Sequence, residues 1–250
     1  MSSPAVRTGA PRDGDTASLR EQDAGLAEAA GVAGRMSVGA QVRAVLRREL
    51  AVERAGREVA VTTLPFVAAF VVLAGLAFGP APQALGQTAA GTVWLAVLVA
   101  AVIVARAVAG AEVAEDSWDV LRGLTTPGSL FAGKLLAVWT ALALTWLLAS
   151  LAVAVLFDAA PPATAVWAGV FGTLALAAVT TTLGVLVATG TRRRGLMAAL
   201  LLPAGLPALL AGTELTTREV RAFPWAVMML LYSAVLLTAS WAVFPALLEE

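Results

Sequence analysis

The chain has 250 residues, 59% hydrophobic and only 14% charged, with a mean hydropathy of +0.83; a soluble domain carries about 25% charged residues, so this composition belongs to an integral membrane protein. Lys and Arg number 17 against 17 Asp and Glu, leaving no overall field for a nucleic acid or an acidic substrate. The chain contains no Cys and no His, which excludes disulfides, thiol redox chemistry, zinc sites and imidazole bases, and leaves a weak ligand set for a transition metal or haem iron.

Residues 1–36 are rich in Ala, Gly, Ser, Arg and Asp, and no apolar run of seven or more residues follows the early arginines. The expectation is a disordered cytoplasmic tail with no cleaved secretory signal, followed by one membrane domain over 37–250. From Ser37 to Glu58 the pattern turns helical, with Val38, Val42, Val45 and Val52 on one stripe and Arg43, Arg47 and Arg54 across from it. This predicts an amphipathic interfacial helix that leads into the membrane. Glu49 and Glu53 project near the valines, where a carboxylate is costly unless it is paired. Two partners are open to it: a local one, as Glu53 and Arg57 stand at i, i+4, or another segment such as the polar loop further on.

Six apolar stretches follow, near 59–78, 88–109, 135–157, 164–189, 196–212 and 225–248. Each is about 18 to 25 residues and able to cross a hydrocarbon core of about 30 Å. Pro203, Gly205 and Pro207 interrupt the fifth, which predicts a kinked or partly re-entrant helix. Lys and Arg mark the orientation. Arg43, Arg47, Arg48, Arg54, Arg57, Arg106, Arg122, Lys134, Arg192, Arg193 and Arg194 lie on one side, and only Arg218 and Arg221 on the other, so both termini are expected in the cytoplasm. On the outer side, Thr216 and Glu219 have capping-box spacing before Val220 and Phe223, which fits either a short helix or an ordinary polar loop.

Between the second and third spans, 106–134 forms a polar interruption. At about 100° per residue, Glu112, Glu115, Asp116 and Asp119 share one helical face, with Ala114, Trp118 and Leu121 opposite. A short amphipathic helix at the membrane surface would turn the apolar side to lipid and the acids either to water alone or to a basic partner. The loop closes on Gly128-Ser-Leu-Phe-Ala-Gly133-Lys134-Leu135, which has the G-x-x-x-x-G-K spacing of a phosphate-binding loop but Leu where Ser or Thr should hold magnesium, and no preceding strand. The segment fits a helix start better: Gly133 permits close approach to a neighbour, and Lys134 extends its amine back toward the interface.

No charged residue stands near the middle of a span, which disfavours ion-coupled transport. The spans offer hydroxyls instead, at Thr140, Thr145, Thr173, Thr180, Thr181, Thr182, Ser233, Thr238 and Ser240, to bond back to carbonyls, bridge helices or line a path for an amphipathic substrate. Trp94, Trp139, Trp146, Trp167, Trp225 and Trp241 fit interfacial belts or helix packing, with an aromatic shelf for a porphyrin as the third use.

Leu46-Arg-Arg-Glu49-Leu50 with Glu53, Arg54 and Glu58, then Gly91-Thr-Val-Trp94, and the loop residues Glu115-Asp116, Trp118-Asp119, Leu121, Pro127 and Gly133-Lys134-Leu135 together resemble the heme exporter protein B family, CcmB, from about Val38 onward. The segment 121–126 is more polar than the family's apolar run, and the loop also resembles that of the wider ABC-2 exporters. The resemblance implies an all-α, ABC-2-like permease with six transmembrane helices, an entry helix and a cytoplasmic coupling helix. It would be a non-enzymatic subunit in the bacterial plasma membrane that uses ATP hydrolysed on a separate subunit for cytochrome c biogenesis. Implied partners are the ATPase subunit CcmA, the haem-handling protein CcmC and the haem chaperone CcmE. Haem would be transported or partner-bound, with no cofactor held by this chain alone. The resemblance assigns ATPase docking to Glu112, Glu115, Asp116, Trp118, Asp119 and Leu121, and the entry helix to Arg47, Arg48, Glu49, Glu53, Arg54 and Glu58. Two other functions stay open: an ABC-2 exporter of a lipid, drug or polysaccharide, and a non-transporting scaffold of a membrane complex.

Overall fold

The computed structural model describes residues 37–56, 58–79, 81–115, 126–188, 196–217 and 222–249. Its described residues form helices and no strand: α1 (Val38–Gly56), α2 (Glu58–Phe78), α3 (Pro82–Glu115), α4 (Pro127–Leu156), α5 (Thr164–Ala188), α6 (Leu196–Thr216) and α7 (Ala222–Glu249). Helices α2 to α7 are long and apolar enough to cross a membrane, because a spanning backbone has to satisfy its polar groups within the segment. The protein is thus the expected polytopic all-α type, and its amphipathic entry helix is α1. The tail at 1–36 lies outside the described residues.

Helix α5 is the axis of the bundle. It packs against α3, α4, α6 and α7, and from Ala175 to Thr181 every residue on it is buried. Lipid tails are as apolar as the side chains, so hydrophobicity alone does not pull spans together, and close backbone approach does. Trp94 on α3 is fully buried; its indole lies where a side chain at Gly172 of α5 or Gly212 of α6 would stand, with hypothetical Cβ contacts of 2.3 and 2.2 Å. Leu98 sits in the same way over Gly205, and Trp146 over Gly169. Trp94 therefore packs helices and is no part of an interfacial belt, whereas Trp167 and Trp241 are about 60% exposed (62% and 61%) on the bundle surface.

The structure departs from the sequence expectation at several element ends and in the fifth span. The loop between the first two spans is short, because α3 begins at Pro82 and not at residue 88; Gly79, at φ +71°, makes the turn. Its lack of a Cβ permits that left-handed conformation. At its other end α3 continues to Glu115, so 106–115 extends the second span instead of starting a separate surface helix. Its 34 residues reach about 51 Å, well beyond a core of about 30 Å.

The fifth span is one uninterrupted helix, α6, with Pro203 and Pro207 inside it, so the partly re-entrant alternative does not hold. The Tyr232 hydroxyl of α7 donates to the Ala204 carbonyl between the two prolines, a polar contact that ties this stretch of α6 to its neighbour. The same helix runs through Thr216, whose hydroxyl donates to Gly212 O at 2.6 Å. Thr216 thus ends α6 and does not cap a new helix; Glu219 and Val220 lie outside the described residues.

Candidate functional site

On α1, Gln41, Val45 and Glu49 recur every four residues and so form one stripe. Gln41 and Val45 are buried, while Arg43, Ala44 and Arg47 on the other faces are exposed. Among the described elements, α4 is the helix along which α1 packs. The start of α4 explains why. Thr126 is its N-cap, in an extended conformation (φ −72°, ψ 144°), accepting from Ser129 N, and Pro127 follows in the first turn, where a missing N–H costs nothing and a preset φ helps.

Three contacts then join the two helices in register. Gln41 Oε1 accepts from Ser129 Oγ at 2.9 Å and from Thr126 N at 3.3 Å. One turn further, Val45 lies over Gly133: a Cβ there would stand 2.5 Å from Val45 Cγ1 and 3.3 Å from Val42 O. Beyond that, Lys134 Nζ meets Glu49 Oε1 at 3.0 Å. Because α1 positions 41, 45 and 49 meet successively later positions of α4, the helices run side by side in the same direction.

The ion pair is inside the joint, since the Lys134 side chain is 6% exposed and that of Glu49 21%. A buried ion pair recovers its desolvation cost only with good geometry and further hydrogen bonds, and Arg48 Nη1 supplies another contact to the same Glu49 oxygen at 3.3 Å. Glu49 is therefore paired with another segment and with its chain neighbour. The Gly-Lys end of the polar loop is helical, following the Thr126 cap, and its lysine is engaged by a carboxylate, which bears out the helix start over the phosphate loop.

Of the entry-helix residues, Arg47 is exposed, Arg48 and Glu49 belong to the joint, and Glu53, Arg54 and Glu58 lie on α1 and α2 by backbone position alone. Glu112 and Glu115 fall on the last turns of α3. Asp116, Trp118, Asp119 and Leu121 lie outside the described residues, as does the local pair Glu53–Arg57. The structure brings the entry helix together with the end of the polar loop, through Thr126 and the first two turns of α4. Gln41, Thr126 and Ser129 were not singled out in the sequence. Thr126-Pro127 was a legible helix start; Gln41 carried no signal.

Among the described residues, hollows open at the far end of the bundle. A cleft of about 470 Å³ lies between the start of α3, the end of α4 and the end of α6, lined by Gln83, Gln87, Ser150, Asp158 and Thr217 among others. An apolar groove of about 330 Å³ between α5, α6 and α7 is lined by Trp167, Phe171, Phe223 and Met229, with Trp167 and Phe171 stacked at 5.3 Å. Among the described residues no group of three or more acidic side chains could hold a metal. Most span hydroxyls bond back within their own helix, as Thr140, Thr145, Thr173, Thr182 and Thr238 do. Ser233 and Ser240 of α7 cross to Phe171 O and Ala178 O of α5. Thr180 and Thr181 are buried with no hydrogen-bond partner.

Helices α2 to α7, an entry helix clamped to the third span and a polar segment feeding the same point are all contained in one family match. The CcmB protein family model covers residues 40–247, from the first turn of α1 to the last turn of α7. Comparison with curated proteins gave no match. With the match running through every element just described, the chain belongs to the CcmB family, the heme exporter protein B family, whose members are non-catalytic membrane permease subunits of the haem exporter.

Proposed function

We propose that the chain is the permease subunit through which a separate ATPase drives the haem exporter of cytochrome c maturation. One observation carries this reading: the entry helix and the end of the acidic loop converge on the first turns of α4 through Gln41–Ser129, Val45–Gly133 and Glu49–Lys134. A push on either element is thereby delivered to a span that packs against α2, α3, α5 and α7. The distribution of Lys and Arg supports placing this end, with both termini, in the cytoplasm of a bacterial cell.

In this reading the ATPase subunit CcmA docks on Glu112, Glu115, Asp116, Trp118, Asp119 and Leu121 beside α1, and hydrolyses the ATP. The haem-handling protein CcmC and the chaperone CcmE are the partners on which the work is done, either haem transport or release of haem-loaded chaperone. The chain has no His and no Cys and only Met, Tyr, Lys and carboxylates as possible ligands, a weak set for haem iron, so this reading gives axial ligation to those partners. The test is Asp116→Lys with Asp119→Lys. Retained membrane insertion with loss of ATPase co-purification and of holocytochrome c supports the reading, and unchanged complex formation refutes it. Purified alone, the protein should show no stoichiometric haem spectrum; a tightly ligated haem would contradict the division of labour.

A further inference from the structure

Helix α1 packs along α4, and three different kinds of contact hold it there. Gln41, Val45 and Glu49 span two turns of α1, and their partners Thr126, Ser129, Gly133 and Lys134 span the first two turns of α4. The apolar contact has no slack, because Val45 already occupies the place a Gly133 side chain would take. The Lys134 and Glu49 side chains are largely out of water, so the pair is weakly screened and directional. Helix α4 in turn packs against four other spans. A rotation or shift of α1 therefore cannot be absorbed at the joint; it moves the start of α4 with it.

We propose that Glu49 and Lys134 are positioning residues that lock α1 and α4 into a single strut, so that α1 is the lever by which the ATP-hydrolysing partner moves the third span. This rests on the ATPase-driven reading above, but the strut itself is a property of this chain. Loosening it leaves docking and hydrolysis in place and disconnects them from the output. Were the pair merely structural, its loss would lower the amount of assembled complex and leave the output per complex unchanged.

The test has two parts. The chain contains no cysteine, so spin labels placed by Arg47→Cys on α1 and Thr140→Cys on α4, both exposed positions, report the joint in the purified full-length protein. The inter-label distance distribution should be narrow in the parent, broaden with Glu49→Gln or Lys134→Met, and narrow again in the charge-reversed pair Glu49→Lys with Lys134→Glu. In the complex, each single variant should retain ATPase co-purification and ATP hydrolysis while holocytochrome c per complex falls by about tenfold, within the range for changes along a coupling route, and the reversed pair should recover most of it.

Unbroadened distances in the single variants, unchanged output per complex, or a reversed pair no better than the worse single variant would each overturn the strut. Failure of the parent protein to bind any ATPase is a different result: it refutes the functional reading and with it the lever, whatever the labels show.

Discussion

Gly133→Ala is the sharpest test of how α1 is seated. The added methyl would stand 2.5 Å from Val45 Cγ1, 2.6 Å from Val45 Cβ and 3.3 Å from the Val42 carbonyl oxygen. Carbon atoms reach favourable contact at about 3.5 to 4.0 Å, so α1 must retreat by about 1 Å. The β-branched Val45 has no free rotamer in a helix with which to yield. That retreat also stretches the Lys134–Glu49 contact from 3.0 Å and the Gln41–Ser129 bond from 2.9 Å.

Overpacking costs about 1–3 kcal/mol and the weakened polar contacts about 1 more, against about 1 kcal/mol gained from alanine's helix propensity. The net loss is about 1–3 kcal/mol, a fall in Tm on the order of 5 °C for a chain of this size. Thermal unfolding in mild detergent, followed by tryptophan fluorescence, measures it. Val45→Gly lowers stability by itself, through lost packing and helix propensity, but it removes both clashing carbons, so adding Gly133→Ala to it should cost little more. Adding Gly133→Ala to Val45→Ala should still cost part of the original loss, because the Val45 Cβ position is 2.6 Å away. An unchanged Tm for Gly133→Ala in the parent, or the same loss in the Val45→Gly background as in the parent, would refute the close seating.

A second overpacking site should be harsher: Gly212→Ala or Gly172→Ala meets the rigid, fully buried Trp94 ring at 2.2–2.3 Å, so either should lower detergent-resistant folded yield, with Trp94→Leu restoring it. Thr126→Val removes the N-cap of α4 and should cost about 1 kcal/mol in the same thermal assay, whereas Thr126→Ser should be near neutral; equal losses would show that the cap is not the cause. Tyr232→Phe deletes the donor to Ala204 O at a cost of about 1 kcal/mol, and amide exchange around 203–207 should speed up in the variant. Unaltered exchange would show that the bond does not steady this turn of α6.

Much of the architecture was legible because bilayer thickness sets a length that apolar runs must match. The spans at 164–188 and 58–78 agree with the sequence pattern nearly to the residue. Boundaries failed where hydropathy stops but hydrogen bonding does not. Helix α4 begins eight residues before the apolar run, at the Thr126-Pro127 cap, and α3 runs on through polar residues to Glu115. In the proline-rich fifth span, α7 places a hydroxyl on the Ala204 carbonyl beside the prolines, a contact 28 residues away that no local rule contains.

The candidate site divides in the same way. Local spacing showed that Glu49 needed a partner and that Gly133 permitted a close approach, since both follow from the side chain and the helical period. It could not say that the partner is Lys134, or that the close approach is to Val45, because residues 85 and 88 positions apart meet only once the bundle is packed. What the sequence alone determined was a chain of six spans with an entry helix and no imidazole or thiol chemistry, properties set by composition and period. What only tertiary structure decided was which faces meet: Trp94 buried between two glycines, and α1 clamped to α4. Many helix pairs satisfy the same hydropathy, and it is close steric fit and polar pairing that choose among them.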